Sequence, residues 1–131
     1  MIAHHRIYIT PMGKPRMTRR DKWAKRACVV RYRAFSDELR SRVGSVPQDA
    51  LRVDFVAFVA MPKSWSKKRK DEMRGQYHRQ KPDVDNIAKA VFDSLFDDDS
   101  GIADSHMVKR WDDGNGARIE LTIETEQKGT E

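Results

Sequence analysis

The chain has 131 residues, enough for one domain with a modest core but too few for a second independent one. It carries 26 Lys and Arg against 20 Asp and Glu, and this net charge of +6 suits a polyanionic partner, either nucleic acid or an anionic membrane face. A single cysteine excludes an intrachain disulfide and a thiolate metal cluster, and without a long apolar run or a signal-like start we expect a soluble cytoplasmic protein with no membrane contact.

The first predicted elements are a strand, a long helix and a second strand. Residues 6–9 have the composition of a strand, which turn-forming residues at 10–15 end. From about residue 21 to residue 43, apolar residues recur at steps of three and four with Arg or Lys opposite them, which predicts an amphipathic helix. Residues 51–60 begin in alternation and become continuously apolar, which favours a well-covered strand.

The middle of the chain predicts an exposed connection and then a second helix. Residues 63–81 have no coherent apolar period, and we expect a mostly exposed segment with a short helix at about 67–74. The second helix should begin near residues 83–85 and run to about Leu95. Its apolar face comprises Val84, Ile87, Val91 and Leu95. Its opposite face carries Asp85, Lys89 and Asp93.

The last third predicts an aspartate-rich turn and two strands. Residues 97–101 form the turn, and residues 102–111 and 117–125 flank 112–116, a strong hairpin signal. The predicted order is β-α-β-α-β-β. This order favours an α+β fold, a single domain over residues 1–126 with a mixed β-sheet backed by two main helices on one face. Residues 127–131 are expected to be a flexible C-terminal tail.

Charge is unevenly distributed along the chain. Residues 63–81, here called the basic arm, hold eight basic residues against two acidic ones. Residues 83–104 then hold seven aspartates, no glutamate and one lysine. Such an acidic cluster would repel the phosphates that the arm attracts unless a cation neutralises it, and a divalent metal is the simplest candidate.

The sequence Asp83-Val84-Asp85-Asn86 suits that metal. Two short carboxylates around a helix start can converge on one magnesium ion, with Asn86 beside them to orient a ligand or water and Lys89 one turn further along to hold a phosphate oxygen. A third carboxylate must come from elsewhere, and the aspartate turn is the obvious donor. The alternatives are that the aspartates only cap a helix and stabilise a turn, and that Lys89 belongs to a surface ion-pair ladder.

Residues 81–95 (KPDVDNIAKAVFDSL), with 98–102 (DDSGI) after them, resemble the RusA family of Holliday junction resolvases, and residues 61–66 (MPKSWS) are typical of its phage members. The resemblance is close in the C-terminal half, whereas the N-terminal half is similar mainly in layout. It implies a homodimeric, magnesium-dependent endodeoxyribonuclease that resolves four-way DNA junctions by paired symmetric nicks in recombination and repair. It also implies a cytoplasmic location, encoded by a bacterium or by a phage in a bacterial host. Mn²⁺ is expected to substitute for Mg²⁺.

By this resemblance Asp83 and Asp85 are metal ligands, Lys89 is the essential lysine, and Asp99 is the third metal-binding carboxylate. Because three aspartates are consecutive here, Asp98 is an alternative to Asp99. Gly101 stands where many relatives have a larger polar residue. The residues expected to support these ligands are Asn86, Asp93 and Asp104.

Two groups of basic residues are expected to contact DNA phosphates. The arm contributes Lys63, Lys67, Lys68, Arg69, Lys70, Arg74, Arg79 and Lys81. Lys14 and Arg16, with Arg19 and Arg20, form a second group that we assign to another junction arm. Trp65 is the favoured candidate for stacking on unpaired bases, ahead of Tyr77 and Trp23. His78 is expected on the basic surface and His106 in a strand.

Two rival functions remain open. One is a different structure-specific nuclease, acting on flaps or single strands with the same carboxylates. The other is a non-catalytic basic DNA-binding protein, in which Asp85→Asn would leave every activity unchanged.

Overall fold

The computed structural model describes residues 1–16 and 26–126. Within these residues the elements are β1 (Ile2–Ile7), α1 (Ala27–Val43), β2 (Ala50–Val59), α2 (Lys67–Met73), α3 (Val84–Leu95), β3 (Met107–Trp111) and β4 (Arg118–Thr125). The predicted α+β class and element order are confirmed, with α2 as the expected short helix. The predicted tail at 127–131 lies outside the described residues.

The four strands form one mixed sheet in the order β1-β4-β2-β3. Strand β4 is antiparallel to β1 and β2, whereas β3 is parallel to β2. The predicted hairpin between β3 and β4 is therefore wrong, since β2 lies between them. The residues of β2 that face the helices, Val53, Phe55 and Ala57, are fully buried, and a strand this apolar is best covered at the sheet centre. The glycine-rich turn at 112–116 carries the chain across β2 instead.

The bounds of three elements differ from those predicted. Strand β1 begins at Ile2 and ends at Ile7, because pairing with β4 extends to exposed N-terminal residues that carry no apolar alternation. Strand β3 begins at Met107 rather than at residue 102, and His106 precedes it. Helix α1 begins at Ala27, after Arg26 in extended conformation; its predicted start near residue 21, and Trp23 with it, lie outside the described residues.

Helices α1 and α3 pack side by side on one face of the sheet, as predicted. Leu39 from α1 and Ile87 and Val91 from α3 are completely buried, together with Phe55 and Leu121 from the sheet. Each such side chain contributes about 1.5–3 kcal/mol of transfer free energy. No helix in the described part of the chain is long and apolar enough to cross a membrane.

No helix of the described residues packs on the other face of the sheet, and we call it the open face. Its residues are mostly polar or charged. They include His4 and Arg6 on β1, Arg52 and Asp54 on β2, and Arg118, Glu120 and Thr122 on β4. Helix α3 thus has one side buried against the sheet and one side exposed to solvent. The exposed side lies next to the loop that follows β1.

The C-terminal part of the basic arm lies along the outer edge of β3. Trp111 donates its backbone N–H to Gln76 (2.8 Å), and His78 donates its own to Lys109 (3.0 Å). Arg110 Nη1 donates to the carbonyl of Gly75 (2.8 Å). These bonds cover an edge strand that would otherwise present unpaired backbone groups. The second half of the arm is therefore hydrogen-bonded to β3, and most residues of the arm are exposed, as predicted.

Candidate active site at the start of helix α3

Asp83 and Asp85 lie at the N-terminus of α3. Asp83 is the N-cap residue, with an extended backbone (φ −66°, ψ 150°), yet its side chain accepts no capping hydrogen bond. Asp85 lies in the first helical turn and is exposed. Neither carboxylate has a hydrogen-bond or ion-pair partner among residues 1–16 and 26–126. The capping alternative therefore does not describe Asp83, and both oxygen pairs face solvent.

Lys109 fixes the segment that leads into Asp83. Its Nζ donates to the backbone carbonyls of Gln80 (2.6 Å) and Pro82 (2.8 Å). The residue lies opposite Ala57 on the helix-facing side of the sheet and is half-buried. Our sequence reasoning missed Lys109. The available signal was its position two residues before Trp111, which places a lysine on the covered side of a strand.

A groove lies beside the solvent face of α3. It has a volume of about 480 Å³ and is lined by Lys14, Pro15, Arg16, Asn86 and Lys89. The loop that forms one wall is bound to the helix, because the Lys14 N–H donates to the carbonyl of Asn86 (3.2 Å). The structure therefore brings Lys14 and Arg16 next to the predicted catalytic lysine, which the sequence did not indicate. Arg19 and Arg20 lie outside the described residues.

The pairing of Asp93 argues against an ion-pair ladder along α3. Asp93 Oδ2 accepts from Lys14 Nζ at 2.6 Å, and this bond raises the pKa of the Lys14 ammonium. Lys89 makes no ion pair with Asp85 or Asp93 anywhere in the described chain. Lys89 is exposed and lines the groove instead. The lysine is thus available to an anionic ligand.

The aspartate turn lies beyond the other end of α3. The side chain of Gln48 holds it: Nε2 donates to the carbonyl of Leu95 (3.1 Å), and Oε1 accepts from the Asp97 N–H (3.0 Å). Asp98 Oδ1 accepts from the Ser100 N–H (2.9 Å), which lowers the pKa of Asp98. Asp99 offers only its backbone carbonyl, to Ile102 (3.0 Å). Of the two rival ligands, Asp98 is engaged in the turn, and the Asp99 carboxylate is not.

The structure does not gather three predicted ligands at one point. Helix α3 has 12 residues, and at 1.5 Å per residue such a helix separates its two ends by about 18 Å. In the part of the chain that the structure describes, no group of three His, Cys, Asp or Glu side chains has the arrangement to hold a metal ion. The three-carboxylate centre stays a prediction, for which the structure supplies the pair Asp83 and Asp85.

Asp104 precedes β3 and forms an isolated bridge with Arg52 of β2. Its Oδ2 is 3.8 Å from Nη1 of Arg52, and 64% of its side chain is exposed. Arg52 is held more closely by Asp54, at 2.9 Å. The expected supporting role of Asp104 stays a prediction.

The first half of the basic arm presents a row of cations on α2. Ser66 caps this helix by accepting from the Arg69 N–H (3.2 Å). Trp65 is half-buried, with its ring 4.7 Å from that of Trp111 and the Arg69 guanidinium 4.0 Å above it. Tyr77 is more accessible, with 61% of its surface exposed. The DNA-stacking role of Trp65 stays a prediction. Because Trp111 and Arg69 cover the Trp65 ring, Tyr77 is the more accessible of the two aromatic residues.

His78 is not part of the basic surface, so that expectation is wrong. Only 4% of the residue is exposed, and its ring packs 4.3 Å from the Trp111 ring. Burial, together with nearby Lys109, lowers the pKa of His78. Its Nδ1 has no hydrogen-bond partner within the described residues. His78 is therefore a neutral packing residue between the arm and β3.

The chain matches the family model described as Endodeoxyribonuclease RusA over residues 7–124. That span includes the groove, the start of α3, the basic arm and the aspartate turn. No curated protein matches the chain.

Proposed function

Since this chain belongs to the RusA family of endodeoxyribonucleases, we propose that it resolves four-way DNA junctions by magnesium-dependent, paired hydrolysis of phosphodiester bonds in recombination and repair. The observation that carries the proposal is the pair of unpartnered carboxylates, Asp83 and Asp85, beside a groove lined by cations. A metal-dependent nuclease needs both features, because the reacting group is an anion that must be held next to a metal.

The donor set at the start of α3 fits magnesium. Mg²⁺ prefers carboxylate oxygens and is commonly held by one or two carboxylates together with substrate phosphates and water. Asp83 and Asp85 would hold it, and Lys109 keeps the backbone before Asp83 in place. A bound Mg²⁺ supplies activation of water and charge stabilisation at the phosphodiester. Mn²⁺, which accepts the same oxygen ligands, should support the same activity.

The remaining residues bind and orient the DNA. Lys89 reaches the groove and donates to a non-bridging phosphate oxygen, which places a fixed cation where negative charge develops. Asn86 lines the same groove and can orient a water or phosphate oxygen. The cations of α2 and of the residues after it bind the phosphates of the duplex arm, which makes affinity strongly dependent on salt.

The resemblance assigns the third ligand to Asp99 rather than to Asp98, which is held by Ser100, although the aspartate turn lies at the far end of α3 from Asp83. Asp104 is the alternative, since its contact with Arg52 is long and largely exposed. Three isosteric variants, Asp98→Asn, Asp99→Asn and Asp104→Asn, separate these assignments when cleavage is measured at equal folded concentration. We expect Asp99→Asn to lose cleavage and the other two to retain it. Loss in Asp104→Asn with retention in Asp99→Asn would transfer the role to Asp104.

A four-way junction presents two equivalent strands, and a twofold homodimer would supply one site to each. The stoichiometry of the protein–junction complex tests this part of the proposal. Two chains per junction, with simultaneous nicks at symmetric positions, are expected. A single chain per junction that cuts one strand only would contradict it.

The principal experiment uses an immobile four-way junction labelled on each strand in turn. The purified protein should introduce paired nicks in the presence of Mg²⁺ or Mn²⁺ and none with chelator. A matched panel of flap, single-stranded and linear duplex substrates tests the structural preference. Cleavage that continues with chelator would overturn the metal mechanism, and efficient cutting of linear duplex without junction preference would overturn junction resolution.

A further inference from the structure

The loop at residues 13–16 docks against α3 next to the candidate active site. The Lys14 N–H donates to the carbonyl of Asn86 (3.2 Å), and the Lys14 ammonium bonds Asp93 (2.6 Å). Gly13 makes the approach possible, because a Cβ there would lie 2.4 Å from Nδ2 of Asn86 and 3.1 Å from Cβ of Pro82. Two hydrogen bonds thus fix this loop to the helix that carries Asp85, and Gly13 leaves room for the close approach.

The groove enclosed by the loop and α3 is strongly cationic. Its described lining residues include Lys14, Arg16 and Lys89 and no acidic residue. Beyond Lys14 a second open groove continues along α1, lined in part by Arg33, Arg40, Asp37 and Asp93. Lys14 lines both grooves, whereas its partner Asp93 lines only the second. An ammonium has three N–H donors, so Lys14 can keep its bond to Asp93 and still donate to an anion in the first groove.

The dimensions and chemistry of the first groove suit a phosphodiester. Its volume of about 480 Å³ falls within the range of small-ligand sites, roughly 300–1,000 Å³. Guanidinium and ammonium groups are the side chains that bind phosphate oxygens most often. The position matters as much as the charge, since Asn86 and Lys89 belong to the same turns of α3 as Asp85.

We propose that this groove binds a phosphate of the same DNA strand that is cut, next to the reacting phosphodiester, with Lys14 and Arg16 as its ligands. The inference rests on the proposed function and sharpens it. Lys14 and Arg16 do not contact a separate junction arm, as the sequence alone suggested. They extend the active site along the cleaved strand. By holding the neighbouring phosphate, they position the phosphodiester bond that is cut next to Asp83 and Asp85.

The test combines side-chain variants with single neutral phosphates. A methylphosphonate is placed, one position at a time, at the phosphates flanking the cut site and at matched positions on an uncut strand. Arg16→Gln and Lys14→Gln are compared with Arg6→Gln, which removes an equal charge from the open face of the sheet. Junction affinity is measured with chelator present, and cleavage is measured with Mg²⁺.

For the unmodified protein, one neutral phosphate on the cut strand should weaken binding about tenfold, the expected loss of a charge-assisted contact. In Arg16→Gln or Lys14→Gln, the same neutral phosphate should cause almost no further loss of junction affinity. In Arg6→Gln it should weaken binding as much as in the unmodified protein. Each of the two groove variants should also reduce the salt dependence of binding by about one counterion.

The inference would be overturned if the losses of affinity from the neutral phosphate and from the groove variant were additive at every position of the cut strand. It would also be overturned if the two losses were non-additive only on an uncut strand. Because the affinity measurement needs no catalysis, it separates the two proposals. Non-additive binding without any cleavage would leave the groove as a phosphate site and reject the nuclease proposal. Metal-dependent cleavage with strictly additive binding would do the reverse.

Discussion

Acidic residues at the start of α3 and those around the open face of the sheet are of the same chemical type but have opposite surroundings. On the open face, Asp113 accepts two bonds from Arg118 (2.9 Å each), and Glu120 accepts a third from the same guanidinium (3.2 Å). At the start of α3, Asp83 and Asp85 have no such partner within the described chain. A paired carboxylate stabilises the fold, whereas an unpaired one is available to a cation. We therefore expect the paired aspartates to be structural and the unpaired Asp83 and Asp85 to be functional.

The two regions also differ in their cations. Arg118 is almost completely buried, lies 3.8 Å above the Phe58 ring, and uses its donors within the protein. Lys89 is exposed, and no partner for it is found among the described residues. Unpaired charges of both signs thus occur together at the α3 end, which is the arrangement expected where a metal and a phosphate meet. The predictions below test this contrast.

The largest expected effect is on catalysis at Asp85. Asp85→Asn should reduce junction cleavage about a thousandfold, the equivalent of roughly 4 kcal/mol of lost charge stabilisation. Junction binding should be retained or strengthened, because one negative charge is removed. The matched change on the open face, Asp54→Asn, should leave cleavage within about twofold and lower stability by about 1 kcal/mol. Single-turnover cleavage and urea unfolding measure both quantities, and equal cleavage losses in the two variants would contradict the contrast.

Next in size is a stability effect at Arg118. Arg118→Met leaves Asp113 and Glu120 without their shared partner and should lower the free energy of unfolding by about 3 kcal/mol. Lys89→Met, which removes an unpaired cation, should change stability by less than about 0.5 kcal/mol while reducing cleavage. Denaturant unfolding of both variants measures the difference. A loss of less than about 0.5 kcal/mol in Arg118→Met would show that the open-face cluster is not structural. A loss in Lys89→Met as large as that in Arg118→Met would contradict the unpaired state of Lys89.

Much of the fold was predictable from sequence because local patterns dominate it. The apolar period of α3 predicted its buried face and its bounds, and the apolar residues of β2 predicted a covered strand. The hairpin prediction failed because a local turn signal carries no information on which strand a distant segment will pair with. The apolar strand β2 lies in the covered centre of the sheet, between β3 and β4. The strand order therefore depends on burial of residues that are distant in sequence.

The candidate site was predictable in one half only. Asp83, Asp85 and Lys89 lie within seven residues of one another, so their spacing and the family motif were enough to nominate them. Lys14 and Lys109 reach the start of α3 from distant parts of the chain, through contacts with the carbonyls of Asn86 and Pro82 that no spacing reveals. His78 was assigned to the surface because its neighbours are charged, whereas packing against Trp111 buries it.

A smaller catalytic effect is expected at Lys109, the engaged lysine next to Asp83. Lys109→Met removes both bonds to the backbone of residues 80–82 and should lower kcat about tenfold, as for loss of a support to a metal ligand. The KM for the junction should change little, since the Lys109 ammonium donates to backbone carbonyls rather than to DNA. Lys109→Arg, which keeps a cation and several donors, should recover part of kcat. A rise in KM with unchanged kcat would instead make Lys109 a DNA contact.

The last prediction concerns the pH dependence of stability, to which the buried His78 and the open-face Asp113 contribute in different pH ranges. Burial lowers the pKa of His78 below its ordinary value of 6.5, so the unfolded chain binds a proton below that pH which the folded chain does not. Stability should therefore be independent of this group above pH 6.5 and fall as the pH decreases below it, by up to about 1.4 kcal/mol per pH unit.

Asp113 has its pKa lowered from 3.8 by Arg118, and its contribution is lost only below that pH. The interval between pH 6.5 and pH 4.5 thus reports on His78 without Asp113. His78→Phe keeps an aromatic ring against Trp111 and removes the titration, so its unfolding midpoint should decline less across this interval than that of the unmodified protein. Parallel pH curves for the two proteins would show that His78 takes up a proton equally in the folded and unfolded states, against the buried, neutral packing position between the arm and β3.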